Sequence, residues 1–173
     1  MDLISSSSTR DPAYRWGAAT LLIAAAVILA ALGFQYLGGY KPCPLCLQQR
    51  YAYYAGIPVL FVALALASAE RAGAATVLFF AAGLAFLVNA GLGLYHAGAE
   101  WQLWAGPDTC AAALEPLSTG KDGFLKALET TEVVRCDQAP WRFAALSFAG
   151  WNAVFSLVLA LGALKAALAA RAN

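Results

Sequence analysis

Charge is what this 173-residue chain has least of. Only 12% of its residues are charged and 61% are hydrophobic, whereas a soluble domain carries about 25% charged residues. Together with apolar runs near twenty residues, that scarcity excludes an ordinary soluble globule and points to a chain embedded in a membrane. The net charge is +1, so there is no electrostatic case for a nucleic-acid partner. There is one histidine, which excludes bis-histidine haem ligation within the chain. No G-x-G-x-x-G follows a strand, leaving a nucleotide cofactor unsupported. No internal repeat occurs at a solenoid period, and the segments between the apolar runs are too short for a large soluble domain.

What remains is four apolar runs, predicting one all-α membrane domain over residues 1–173: an integral membrane four-helix bundle. The helices are expected at about 16–37, 44–67, 74–95 and 141–166, with loops at 38–43 and 96–140. Residues 1–15 read as a polar tail. The first run is too long for a signal-peptide core and lacks a following small-residue cleavage site, so it is read as a retained span. Trp16 and Tyr36 suit its two interfaces. Small residues such as Gly83, Gly91, Gly93, Gly150 and Gly162 let membrane helices approach closely. Asn89 and Asn152, inside the runs, are expected to face other helices, where partners exist. In the long loop, Gly123–Thr130 places Phe124, Leu125 and Leu128 on one face, predicting a short amphipathic helix on the membrane surface or on the protein's own end.

Four spans put both termini on one side and the 38–43 turn with the long loop on the other. All four cysteines then share one compartment. Lys and Arg divide almost evenly between the sides, so the positive-inside rule decides little. The cysteine side is assigned outside on redox grounds, because stable disulfides belong to oxidising compartments.

The chemistry concentrates in Lys41-Pro-Cys-Pro-Leu-Cys-Leu-Gln-Gln-Arg50. Pro44 suits the first position of a helix, which places Cys43 at the N-cap and Cys46 in the first turn. Free N–H groups and the helix dipole at that end favour a thiolate. Arg50 follows Cys46 by one turn on the same face. Taken alone, a C-x-x-C is equally half of a structural metal site or an inert disulfide. Cys110 and Cys136 form a second, widely spaced pair on the same side. Two dithiol pairs suggest a relay in which oxidation passes through mixed disulfides, and a lipid-soluble quinone suits the final acceptor at the bilayer edge. Arg50 is read as stabilising negative charge on the quinone or on the Cys46 thiolate, or else as a snorkelling interfacial arginine. His96 is read as a capping residue or as lining the quinone site. Trp101, Trp104 and Trp141 are belt residues or pocket walls.

These residues resemble the signature of the bacterial disulfide bond formation protein B (DsbB) family. The segments Tyr95-His-Ala-Gly-Ala-Glu100, Gly106-Pro-Asp-Thr-Cys110 and Cys136-Asp-Gln-Ala-Pro-Trp-Arg-Phe143 carry the likeness further, over about residues 16–165. The resemblance implies an inner-membrane bundle with both termini cytoplasmic and its cysteines periplasmic. Its implied activity is reoxidation of the periplasmic thiol oxidase DsbA with reduction of ubiquinone or menaquinone. It implies that reduced DsbA attacks Cys110, that Cys136 is the disulfide partner of Cys110 and then engages Cys43, and that Cys46 faces the quinone. Arg50, His96 and Trp141 align with family positions at the quinone. A DsbA-type potential near −120 mV demands an acceptor of higher potential, which a quinone pool supplies. Pro44-Leu45 and Arg142 occupy variable positions of that family.

Two other readings stand beside this one. In the vitamin K epoxide reductase-like family, loop cysteines also serve a C-x-x-C and a quinone, but they precede it in sequence, and here they follow. A non-catalytic membrane protein held by structural zinc or disulfides is the other; zinc ribbons, however, show two close pairs.

Overall fold

The computed structural model describes residues 11–106 and 135–172. It is a four-helix bundle of α1 (Pro12–Tyr36), α2 (Pro44–Ser68), α3 (Ala72–Glu100) and α4 (Phe148–Ala172), with a two-stranded hairpin, β1 (Arg142–Phe143) and β2 (Leu146–Ser147), leading into α4. All four helices are long and apolar enough to cross a membrane. At 1.5 Å per residue, the 25 residues of α1, α2 and α4 span about 37 Å, more than the roughly 30 Å hydrocarbon core.

Proline sets two of the starts. Asp11 caps α1 by accepting from the Ala13 N–H at 2.8 Å, with Pro12 at the first helical position. That pair draws α1 four residues outward from the expected start at 16. Cys43 and Pro44 do the same for α2, as the motif predicts.

The largest corrections fall at the outer ends of α3 and α4. The third helix is expected to stop at Tyr95, ahead of the polar His96 and Glu100. Instead α3 runs to Glu100, because Ala97, Gly98 and Ala99 are buried and both polar side chains find surroundings inside the bundle. A left-handed Gln102 (φ 58) then ends it, with the Leu103 N–H bonding back to the Gly98 carbonyl. The fourth helix is expected from Trp141 but starts at Phe148. Residues 142–147 form the hairpin instead, pairing Arg142 with Ser147 and Phe143 with Leu146. Its two-residue turn, Ala144-Ala145, has φ of 51° and 66°. That geometry is ordinarily given to Asn-Gly, which is why sequence reading misses it. Ser147 then caps α4, accepting from the Gly150 N–H at 3.1 Å.

The main core lies between the helices and is built from Leu60, Phe79, Phe86 and Leu159 among many alanines. Close approach explains two of the glycines. A Cβ on Gly93 of α3 would lie 2.9 Å from the Ala153 backbone nitrogen of α4, and one on Gly56 would meet the Phe86 ring at 2.7 Å. The expected loop helix at Gly123–Thr130 and Cys110 lie outside the described residues.

Candidate active site

At one end of the bundle the 38–43 turn, the last turn of α3 and the 135–147 segment meet. Cys43 sits at the N-cap of α2 in extended conformation, and its Sγ accepts from the Cys46 N–H at 3.2 Å. The Cys46 Sγ lies 2.7 Å from it. Both are free thiols, so closing the disulfide needs only a small side-chain movement. From α3, the His96 Nε2 approaches the Cys43 Sγ at 3.7 Å. Cys136 is disulfide-bonded, and its partner is neither cysteine of the C-x-x-C. The Cys43 Sγ, a His96 ring nitrogen and the Cys136 Sγ all lie within 4.8 Å of one another, and all three residues are buried. Because Cys136 is in a disulfide, this trio leaves only one thiolate and one imidazole as donors, short of the four ligands of structural zinc.

The surroundings favour an anion on Cys43. The Sγ contact with Cys46 is the chief cause and His96 the next. They outweigh the cost of burial and hold the thiol well below its ordinary range, at about 5. The two sulfurs titrate as one unit, with Cys43 the atom on which the donors converge. The family resemblance sets the quinone-facing sulfur on Cys46, three positions along the chain from Cys43.

Glu100, one turn beyond His96, is 7% exposed. Its Oε1 is 3.9 Å from the His96 Nε2, and its Oε2 has no hydrogen-bond partner. Both residues line a cleft of about 440 Å³ with Cys43, Cys46, Lys41 and Arg135, within the size range of small-molecule sites. Of the other residues singled out in sequence, Arg50 donates to the Gln35 Oε1 of α1. Trp141 stacks on Phe148 with centroids 4.8 Å apart and touches Phe34 of α1. Cys46 and His96 therefore share the cleft, whereas Arg50 and Trp141 gather at the outer end of α1. Trp101 and Trp104 are exposed; Trp104 folds back over Gly98 and donates to the Tyr95 carbonyl at 2.9 Å.

Sequence reading does not single out Gln49 or Glu100. Gln49 is 5% exposed and bonds the His96 Nδ1 at 2.8 Å. A signal exists, since Gln49 lies on the Cys46 face of a helix with little room for unpaired amides. Asn89 and Asn152 do face other helices and are hydrogen-bonded there.

A helix-capping C-x-x-C beside a second, disulfide-bonded cysteine is what a family comparison has to explain. The family model described as Disulfide bond formation protein DsbB matches residues 14–166. The chain belongs to the DsbB family. Curated relatives bearing the name Disulfide bond formation protein B agree. One from Marinobacter nauticus is 34% identical over 151 residues, covering 82% of this chain and 84% of the relative. One from Xanthomonas oryzae pv. oryzae is 34% identical over 152 residues, 87% of each. One from Acidovorax sp. is 30% identical over 155 residues, 82% of this chain and 80% of the relative. No solved structure gives a significant match. As a member of the DsbB family, the chain is a membrane protein of disulfide-bond formation.

Proposed function

We propose that the chain is a membrane thiol:quinone oxidoreductase that reoxidises a periplasmic DsbA-type dithiol oxidase. Electrons enter at the Cys110–Cys136 pair, pass to Cys43–Cys46 and leave to ubiquinone or menaquinone. The observation that carries this reading is the placement of a disulfide-bonded Cys136 Sγ within 4.8 Å of the Cys43 Sγ. Thiol–disulfide exchange needs a thiolate and a disulfide sulfur in reach of each other, and this end of the bundle supplies both.

The partner's dithiol first reduces the loop disulfide and becomes a disulfide itself. The Cys136 thiolate attacks the Cys43 sulfur of an oxidised Cys43–Cys46 pair, and Cys46 leaves as the thiolate. The Cys110 thiolate then displaces Cys43, regenerating the loop disulfide. Cys43 and Cys46 finally give two electrons and two protons to the quinone, which becomes a quinol and restores their disulfide. The donors around Cys43 suit the displacement that frees it, since they lower the basicity of the departing sulfur.

A bound quinone would supply a two-electron acceptor of high potential. Among this chain's residues, Cys46 on the cleft fits it by size and by its half-buried sulfur. Arg50, a fixed positive charge one turn deeper, and the aromatic group of Phe34, Trp141 and Phe148 would hold and orient it. The cysteine end of the bundle is assigned to the periplasmic side, with both termini cytoplasmic, because the exchange requires an oxidising compartment.

The test is quinone reduction by the purified protein, followed optically, with a reduced DsbA-type protein as donor. Turnover by the unaltered chain, none with Cys46→Ser and none from the thiol donor with Cys110→Ser is the expected pattern. Full quinone reduction by Cys46→Ser would sink the assigned order.

A further inference from the structure

Beneath the thiol pair runs a buried chain of amides that the proposed exchange does not use. Asn89 and His96 belong to α3, Gln49 and Tyr53 to α2, and Asn152 and Ser156 to α4. The Tyr53 hydroxyl and the Asn89 Nδ2 both point donors at the Asn152 Oδ1, at 2.9 and 3.4 Å. Asn89 also donates to the Ser156 Oγ at 2.9 Å. The Asn152 Nδ2 donates to the Gln49 Oε1 at 2.7 Å. That leaves the Gln49 Nε2 facing the His96 Nδ1 at 2.8 Å, with the His96 Nε2 3.7 Å from the Cys43 Sγ.

With Asn89 and Asn152 oriented as in the structure, each further bond takes its direction from the one before it. Asn152 meets donors on its oxygen, so its nitrogen must donate. Gln49 accepts on its oxygen, so its nitrogen must donate too. His96 Nδ1 therefore accepts, and the one ring hydrogen of the neutral imidazole sits on Nε2, which faces the Cys43 Sγ at 3.7 Å and the Glu100 Oε1 at 3.9 Å. Gln49, His96, Asn89, Tyr53 and Ser156 are all 5% exposed or less and Asn152 is half-buried, and reversing any one amide alone would set donor against donor or acceptor against acceptor. We infer that Asn89, Asn152 and Gln49 are positioning residues that lock His96 in its Nε2–H tautomer and so fix a hydrogen-bond donor on the Cys43 sulfur. His96 then acts toward Cys43 as a fixed donor, because its other nitrogen is already occupied.

Other groups face the same sulfur and share in its titration. The Cys46 thiol and backbone N–H are on α2, the Cys136 disulfide sulfur is on the 135–140 segment, and Glu100 is one turn on along α3. Lys41 and Arg135 line the cleft, and Arg142 of β1 bonds the Glu100 carbonyl at 3.4 Å. The amide chain is distinct from all of these in reaching Cys43 only through His96. The inference deepens the proposed exchange at the same site, yet its test reads a tautomer and a titration, so a failure of quinone turnover would leave it standing or falling on its own.

Because the chain has a single histidine, imidazole-¹⁵N labelling of the full-length protein in lipid nanodiscs gives one residue's signals. A protonated Nε2 with a bare Nδ1 is expected in the unaltered chain. An Nδ1–H tautomer, or an average of the two, overturns the inference, and this arm needs no variant to fold. The second arm follows thiolate absorbance against pH in the reduced protein, with the low-pH step assigned by its loss in Cys43→Ser. Gln49→Leu should move that step up by about one pH unit, the worth of one hydrogen bond to a charged group. In a His96→Leu background it should add no further shift. A shift of equal size without His96, or none in a Gln49→Leu protein of unchanged helicity, overturns it. Asn152→Leu is read in the same way should Gln49→Leu fail to fold.

Discussion

The two ends of the bundle solve different problems. Away from the cysteines the helices meet through small residues. Ala13, Ala75, Ala163, Ala166 and Ala170 are buried among Leu60, Phe79 and Leu159, and glycine contacts bring the backbones together. Nothing there has to point in one direction. At the cysteine end the buried set is Cys43, Gln49, His96, Glu100 and Cys136, and polar contacts link Cys43 to His96 and His96 to Gln49. The first end is built for close packing, the second for orientation. Membrane helices gain no hydrophobic drive from leaving lipid for one another, so close van der Waals contact must hold the bundle while a polar end carries chemistry.

That contrast predicts where substitutions act. The largest effect is expected from Cys43→Ser, which should abolish electron passage between the pairs while leaving thermal unfolding in detergent within about 1 kcal/mol, as befits a near-isosteric change. A melting temperature that collapsed along with activity would show that the cysteine end also holds the fold. Next comes Gly93→Val, at a close α3–α4 packing contact one turn before His96. Its side chain has no room against the α4 backbone, and a cost of about 1–3 kcal/mol is expected from overpacking, read by the same melt. Unchanged stability would mean that α3 and α4 can separate freely.

The third prediction is a pH dependence. Cys43 is depressed to about 5, and the thiolate is the reactive form. Its alkylation rate in the reduced protein should therefore stay on a plateau at neutral pH and fall as pH drops through about 5. An ordinary cysteine would lose reactivity already below about 8.5, and such a profile would remove the anion from Cys43. The smallest effect is expected at the start of α4. Ser147→Ala deletes the α4 cap and should cost about 1 kcal/mol, read by the same melt.

Much of the architecture is legible in the amino-acid sequence. Scarce charge and four apolar runs are enough for a four-helix membrane bundle, because a lone span must satisfy its own backbone within a helix. Pro44 after Cys43 predicts the cap and the thiolate-favouring position, since a helix start offers unpaired N–H groups wherever it occurs. The family itself is legible in the cysteine spacing and the motifs around it. The helix ends are not. Polar His96 and Glu100 look like a loop until buried neighbours surround them, and Ala144-Ala145 carries no local signal for a turn with two positive φ values.

The number of spans and the helix-capping thiol are written in the sequence, because hydropathy and capping are local or countable properties. Tertiary contact alone brings Cys136 to Cys43, turns Arg50 to Gln35, and aligns three amides from three helices on one histidine. Those depend on helix rotation and contact across the bundle, and hydrogen-bond direction is settled only when every buried partner is in place.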